Sequence, residues 1–86
     1  MNIDEYDFVF AEIYAAAPTD KVTAASAALD AFEGENLRGD ASLYIWVKAY
    51  AAAIASGADS NQAGVAASNA VLDHAETMET RFNRRG

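Results

Sequence analysis

The sequence predicts an all-α protein, either a four-helix bundle or two stacked helical hairpins with short connections. Three observations carry that expectation. Apolar residues recur three and four positions apart along most of the chain. Residues that cap helices stand before those stretches, and Pro18, Gly34 and Gly57 stand after them. The 86 residues suffice for one domain, residues 1–86, and the 52% hydrophobic content is ample for a packed core. Much of that content is alanine, which buries little area but lets helices approach closely.

The first helix is expected from Asn2 to about Ala17, with Asn2 and Glu5 spaced as a capping box. Ile3, Tyr6, Val9, Phe10, Ile13 and Tyr14 share one broad face of it. Pro18 ends it, since proline cannot donate to the preceding turn. Thr19 or Asp20 then caps a second helix that carries Val22, Ala25, Leu29 and Phe32 and stops at Gly34. A polar connection over 34–41 leads to Asp40, the candidate cap of a third helix over about 41–56, which ends at Gly57. Asp59 followed by Gln62 opens a fourth, reaching about Asn83.

The third helix contains the most apolar run of the chain, residues 43–54, in which Lys48 is the only charge. The run is shorter than the roughly 20 residues that cross a bilayer. It is also more apolar around its circumference than a surface helix should be, so it needs cover on more than one side. Leu43, Trp46, Val47, Tyr50 and Ile54 form an arc suited to an internal core, as Phe10 and Tyr14 do in the first helix. Tyr44 and Ile45 need a second cover. The chain also shows a possible repeat of hairpins, 2–34 and 41–83. Phe8-Val9-Phe10 and Tyr14 to Ala17 match Tyr44-Ile45-Trp46 and Tyr50 to Ala53 at a shift of 36, and Val22, Ala24, Ala27, Leu29, Asp30 and Glu33 match Val65, Ala67, Ala70, Leu72, Asp73 and Glu76 at a shift of 43.

Composition narrows function mostly by exclusion. Without cysteine there is no disulfide, thiolate nucleophile or zinc-thiolate site. Met1 to Glu12 carry four carboxylates and no basic segment, so no secretory signal is expected and the cytoplasm of whatever cell makes the protein is the expected location. A net charge of −7 disfavours direct binding to nucleic acid and favours a protein partner with a basic surface.

Chemistry-bearing patterns are equally sparse. His74 is the sole histidine, and the place three residues before it, where a di-iron helix needs glutamate, is Val71. Asp59 to Gly64 opens like a calcium loop, but the fifth and twelfth loop positions are Ala63 and Ala70. No serine stands in a glycine-flanked elbow, and no glycine-rich phosphate loop occurs. Neither an enzyme nor a cofactor or metal site is expected. Arg81, Arg84 and Arg85 are explained by the helix C-terminus they occupy.

The acidic first helix holds the candidate binding residues. Asp4, Asp7 and Glu12 surround Phe8, which falls between Asp4 and Glu12 and nearly opposite Val9 and Phe10. An aromatic ring rimmed by carboxylates resembles an interface anchor. Tyr44, the counterpart of Phe8, points away from the arc of the third helix. Partial burial of Phe8 against the second hairpin is the competing expectation.

The segment Ser56-Gly-Ala-Asp-Ser-Asn-Gln-Ala-Gly-Val-Ala-Ala-Ser-Asn-Ala-Val-Leu-Asp-His74, with Arg81-Phe82 beyond it, resembles small alanine-rich acidic proteins of tailed phages and prophages. The resemblance covers roughly the second half of the chain. It implies no fixed activity; many such proteins bind a host protein, among them inhibitors of CRISPR effectors and other defence machinery. The resulting expectation is a phage-like inhibitor that docks on a host complex through Asp4, Asp7, Phe8, Glu12 and Tyr44. The alternative is a structural or assembly protein whose third helix builds a homodimer or larger homo-oligomer.

Overall fold

Helix boundaries follow the capping chemistry written in the chain. The computed structural model describes residues 3–35 and 39–85, with side chains at 5–35 and 41–76. Among them are four α-helices and no strand: α1 (Ile3–Ala16), α2 (Lys21–Gly34), α3 (Gly39–Ala55) and α4 (Ser60–Arg85). The expected cap Asn2 lies outside the described residues, as do the side chains of Ile3, Asp4, Arg81, Arg84 and Arg85. Asp20, rather than Thr19, caps α2: its carboxylate accepts from the Thr23 N–H at 3.4 Å. At α4 the capping box is complete. The Gln62 N–H donates to Asp59 Oδ1 at 2.8 Å, and the Asp59 N–H donates to Gln62 Oε1 at 3.2 Å.

The turn between α3 and α4 is a Schellman motif, with Ala58 N–H bonded to the Ala53 carbonyl at 3.0 Å and Gly57 N–H to that of Ile54 at 3.1 Å. Gly57 has φ of 100°, a conformation that an L side chain rarely adopts. One boundary is corrected. α3 begins at Gly39, so Asp40 falls inside its first turn instead of capping it. An acidic residue is favourable at either place near a helix start, which is why its presence did not locate the boundary.

The helices run up, down, up, down. α1 packs on α2 and α3 on α4, as short turns require, while α1 also lies beside α3 and α2 beside α4. The contact between α3 and α4 is the most extensive and that between α2 and α4 the slightest. An aromatic chain ties three helices together. Tyr6 meets Phe32 edge-on at 6.2 Å, Phe32 meets Trp46 at 5.5 Å, and Trp46 stacks on Tyr50 at 5.0 Å.

The core arcs differ from the expected ones in α1 and α2. α1 buries Val9, Ile13 and Ala17, while Phe10 is half-buried and Tyr14 exposed. The two rings stack on each other at 5.8 Å instead of entering the core. α2 buries Ala25, Ala28 and Phe32, leaving Leu29 half-buried and Val22 exposed. α4 buries Ala63 and Ala67 and turns Val65 and Leu72 to solvent. Only α3 matches, with Trp46, Val47, Tyr50 and Ile54 at its centre and Leu43 packed at the margin. Large rings on α3 fill the interior, so α2 and α4 bury mainly alanines around them, while α1 contributes Val9 and Ile13. Residues paired by the repeat therefore occupy different places: Tyr14 is exposed and Tyr50 fully buried. The two buried arcs are offset by one residue, about 100° around the helix.

Trp46 and Tyr50 are fully buried, and among the described residues neither the indole N–H nor the phenol hydroxyl has a hydrogen-bond partner. An unpaired buried hydroxyl costs about 1–3 kcal/mol, so Tyr50→Phe, which keeps the ring, should raise the free energy of unfolding by about 1 kcal/mol. A urea titration monitored by circular dichroism checks this, and a lowered midpoint would show the hydroxyl to be paired in solution. The Tyr50 hydroxyl is also pushed above its ordinary pKa of 10.0, first by burial and then by the Asp59 carboxylate. Because the folded state favours the neutral form, this contribution is whole below the unfolded pKa and is lost as pH rises through the folded one.

Candidate functional site

Of the expected binding residues, Glu12 and Tyr44 lie along the seam where α1 runs beside α3. Glu12 faces α3 and pairs with Lys48, Oε1 to Nζ at 3.5 Å, and the same ammonium sits 5.3 Å from the centre of the Tyr44 ring. Glu12, Lys48 and Tyr44 thus form one strap across the two helices. Both ends of the ion pair are partly exposed, so its contribution is at most about 1 kcal/mol. Tyr44 remains 56% exposed, whereas Ile45 is half-buried. The second cover that the apolar run demanded is supplied by the chain itself in part, at Ile45 and not at Tyr44.

Phe8 is half-buried and packs against the core. Partial burial therefore describes it better than a free-standing anchor. Asp7 is exposed. Of the five expected residues the structure brings together Glu12 and Tyr44 through Lys48, and the side chain of Asp4 lies outside the described residues. The role of Lys48 was not legible in the sequence, where it stood only as the single charge of an apolar run.

Charge is divided sharply between the two hairpins. Residues 1–35 hold eight carboxylates and a single cation, Lys21, whereas residues 36–86 hold five carboxylates and five cations. The whole excess of −7 belongs to the first hairpin. Lys21 is engaged within that hairpin: Nζ donates to the carbonyls of Tyr14 at 3.1 Å and Ala17 at 3.0 Å and lies 5.5 Å from the centre of the Tyr14 ring. It supplies from α2 the cation that the last turn of α1 lacks.

Other carboxylates of the hairpin have structural work. Glu33 accepts from the Tyr6 hydroxyl at 3.0 Å, which raises the Tyr6 pKa, with burial and the charges of Glu33 and Glu5 adding to the effect. Glu35, just past α2, accepts from the Ser68 hydroxyl and ties α2 to α4. Asp7 and Asp30 are exposed on the outside of the hairpin.

At the end of the bundle where both tight turns lie, a cleft of about 300 Å³ opens between them. Ala17, Ala24, Ala27, Ile54 and Ala58 supply its apolar walls, and the capping carboxylates Asp20 and Asp59 also line it. Each aspartate was legible as a cap, but their convergence depends on the turns meeting at one end. His74 is half-buried on α4. Among the described residues no three histidine, cysteine or acidic side chains are grouped to hold a metal, and no helix is long and apolar enough to cross a membrane. No family model matches the chain, and no curated protein or solved structure matches it either.

Proposed function

We propose that this chain is a non-catalytic binding protein, phage-like in character, that docks its acidic first hairpin on a basic surface of a host protein complex and inhibits it. CRISPR effectors and other defence machinery form the target class. The observation that supports this reading most is the confinement of the net charge to residues 1–35, with the one lysine there folded back on its own turn. A field of that sign attracts a cationic surface and speeds encounter with it. Asp7 supplies exposed charge on α1, and the Tyr44 ring supplies exposed apolar area on the neighbouring helix.

Assembly into a homo-oligomer through α3 has less in its favour, because most of that helix is covered by α1 and α4. The test is affinity capture from bacterial lysate with the wild-type chain, Asp7→Lys and Tyr44→Ala. Both positions are exposed, so neither variant should lose more than about 0.5 kcal/mol of stability. Phe8→Ala is a poorer test, since it also removes core packing. We expect a partner retained by the wild type to be weakened at least about tenfold by Asp7→Lys, and more at low salt than at high salt. Equal retention by all three proteins would reject the α1–α3 surface.

A further inference from the structure

We infer that the outer face of the first hairpin is a docking site for an amphipathic helix of the partner protein, one whose apolar stripe is flanked by lysine or arginine. This deepens the proposed function and rests on its basic partner, naming the element of that partner which is held. The contact lies on α1 and α2, away from Tyr44 on α3.

Tyr6, Phe10 and Tyr14 follow one another at intervals of four, so their rings form one stripe along α1. Both ends of the stripe touch α2. The Tyr6 hydroxyl donates to Glu33 at 3.0 Å, and the Lys21 ammonium lies 5.5 Å from the centre of the Tyr14 ring. Phe10, between them, stacks on Tyr14 at 5.8 Å, and both rings stand outside the core cluster. Each follows a buried residue, Val9 or Ile13, by one position, so the stripe is turned about 100° from the core. On α2, Val22, Leu29 and Glu33 are spaced by seven and four, a second stripe that ends at the Tyr6 hydroxyl. Val22 is 60% exposed and Tyr14 43%, with Phe10 and Leu29 half-buried. Two apolar rows along the junction of two helices are the surface on which a third helix packs.

Charge selects the occupant. Asp7 stands three residues before Phe10 and seven before Tyr14, hence on the same face of α1, and it is exposed. Asp30, next to Leu29, and Glu33 are exposed on α2. Lys21, the one cation of the hairpin, is held on the carbonyls of Tyr14 and Ala17. A second copy of this face would bring carboxylates against carboxylates. An uncharged helix would cover them without pairing them. A helix with cations on both flanks of its apolar stripe meets opposite charge on either side.

The experiment titrates the ¹⁵N-labelled full chain with synthetic peptides of about 15 residues, long enough to form a helix. One carries leucines at i, i+4, i+7 and i+11 among lysines and alanines. A second has the same composition with the leucines scattered around the helix, and a third replaces lysine by glutamate. We expect the first to shift backbone amides within residues 7–14 and 22–33. The other two peptides, and the first peptide with the double variant Val22→Lys/Asp30→Lys, should bind about tenfold more weakly. Both substituted positions are exposed, so the variant keeps its fold, which circular dichroism verifies. Shifts centred on Tyr44 or on α4, equal binding of the scattered peptide, or undiminished binding by the double variant would overturn the assignment. So would a wild-type dimer in sedimentation equilibrium that the double variant dissolves, since a second copy would then hold the face. Lysate capture with the same double variant separates this contact from the α1–α3 surface. Weakening by Tyr44→Ala alone would keep the proposed function and reject this face; weakening by the double variant alone would support this face over the other.

Discussion

Trp46→Ala should unfold most of the molecule or bring it close to unfolding. Trp46 is fully buried, stacks on Tyr50 at 5.0 Å and meets Phe32 at 5.5 Å, so its ring joins α2 to α3 across the interior. Truncating a buried tryptophan to alanine costs about 3–5 kcal/mol, from lost transfer energy and from the cavity left behind. A domain of this size has a total stability of about 5–15 kcal/mol, and alanine-rich interfaces place this one toward the lower end. Chemical denaturation followed by circular dichroism measures the loss, since the substitution removes the chain's only tryptophan as a fluorescent reporter. Leu72→Ala is the matched control. Leu72 is 60% exposed, and its truncation should change stability by less than about 0.5 kcal/mol. A comparable loss at both positions would mean that the outer face of α4 is covered in solution, which would revive the homo-oligomer.

The second large effect separates two glycines. Gly57→Ala should destabilise by about 1–2 kcal/mol, because at φ of 100° a Cβ crowds the backbone even though open space surrounds it. The strain falls on the Schellman turn that sets the start of α4, so the melting temperature and the helix content should fall together. Gly64→Ala should act oppositely. Gly64 lies inside α4 at negative φ, and a Cβ there meets nothing within 4 Å. Alanine at a helix-interior position is favoured over glycine by about 0.8–1.0 kcal/mol. Thermal melts of the two variants in parallel test the assignment, and stabilisation by both would contradict the turn geometry at Gly57.

The candidate site was legible in part, and the physical reasons differ by residue. Asp7 could be placed on the solvent side of an acidic helix because it is charged and shares the first helix with the carboxylates Asp4, Glu5 and Glu12. Phe8 could not be settled, because its burial depends on α3 lying beside α1, a contact between helices that are not consecutive. Glu12 counted as part of an acidic rim in the sequence, yet Lys48, thirty-six residues away, pairs with it across the same seam. The cleft was invisible for the same reason: Asp20 and Asp59 are thirty-nine residues apart and meet only when both turns come to one end of the bundle.

The sequence by itself determined the local structure. Asp20 starting α2, the Asp59–Gln62 box starting α4, and the stops at Pro18, Gly34 and Gly57 each act within a few residues, and such chemistry survives any packing arrangement. The composition also determined the sign of the field. Tertiary structure alone decided which face of each helix turns inward. Hydrophobicity ranks Phe10, Tyr14, Val22 and Leu72 above Ala25, Ala28, Ala63 and Ala67, yet the alanines are buried and the larger residues lie at the margin or outside. Space is the reason. Trp46, Tyr50 and Phe32 fill the interior, and close helix contact around them leaves room for a methyl group where a larger side chain would force the helices apart.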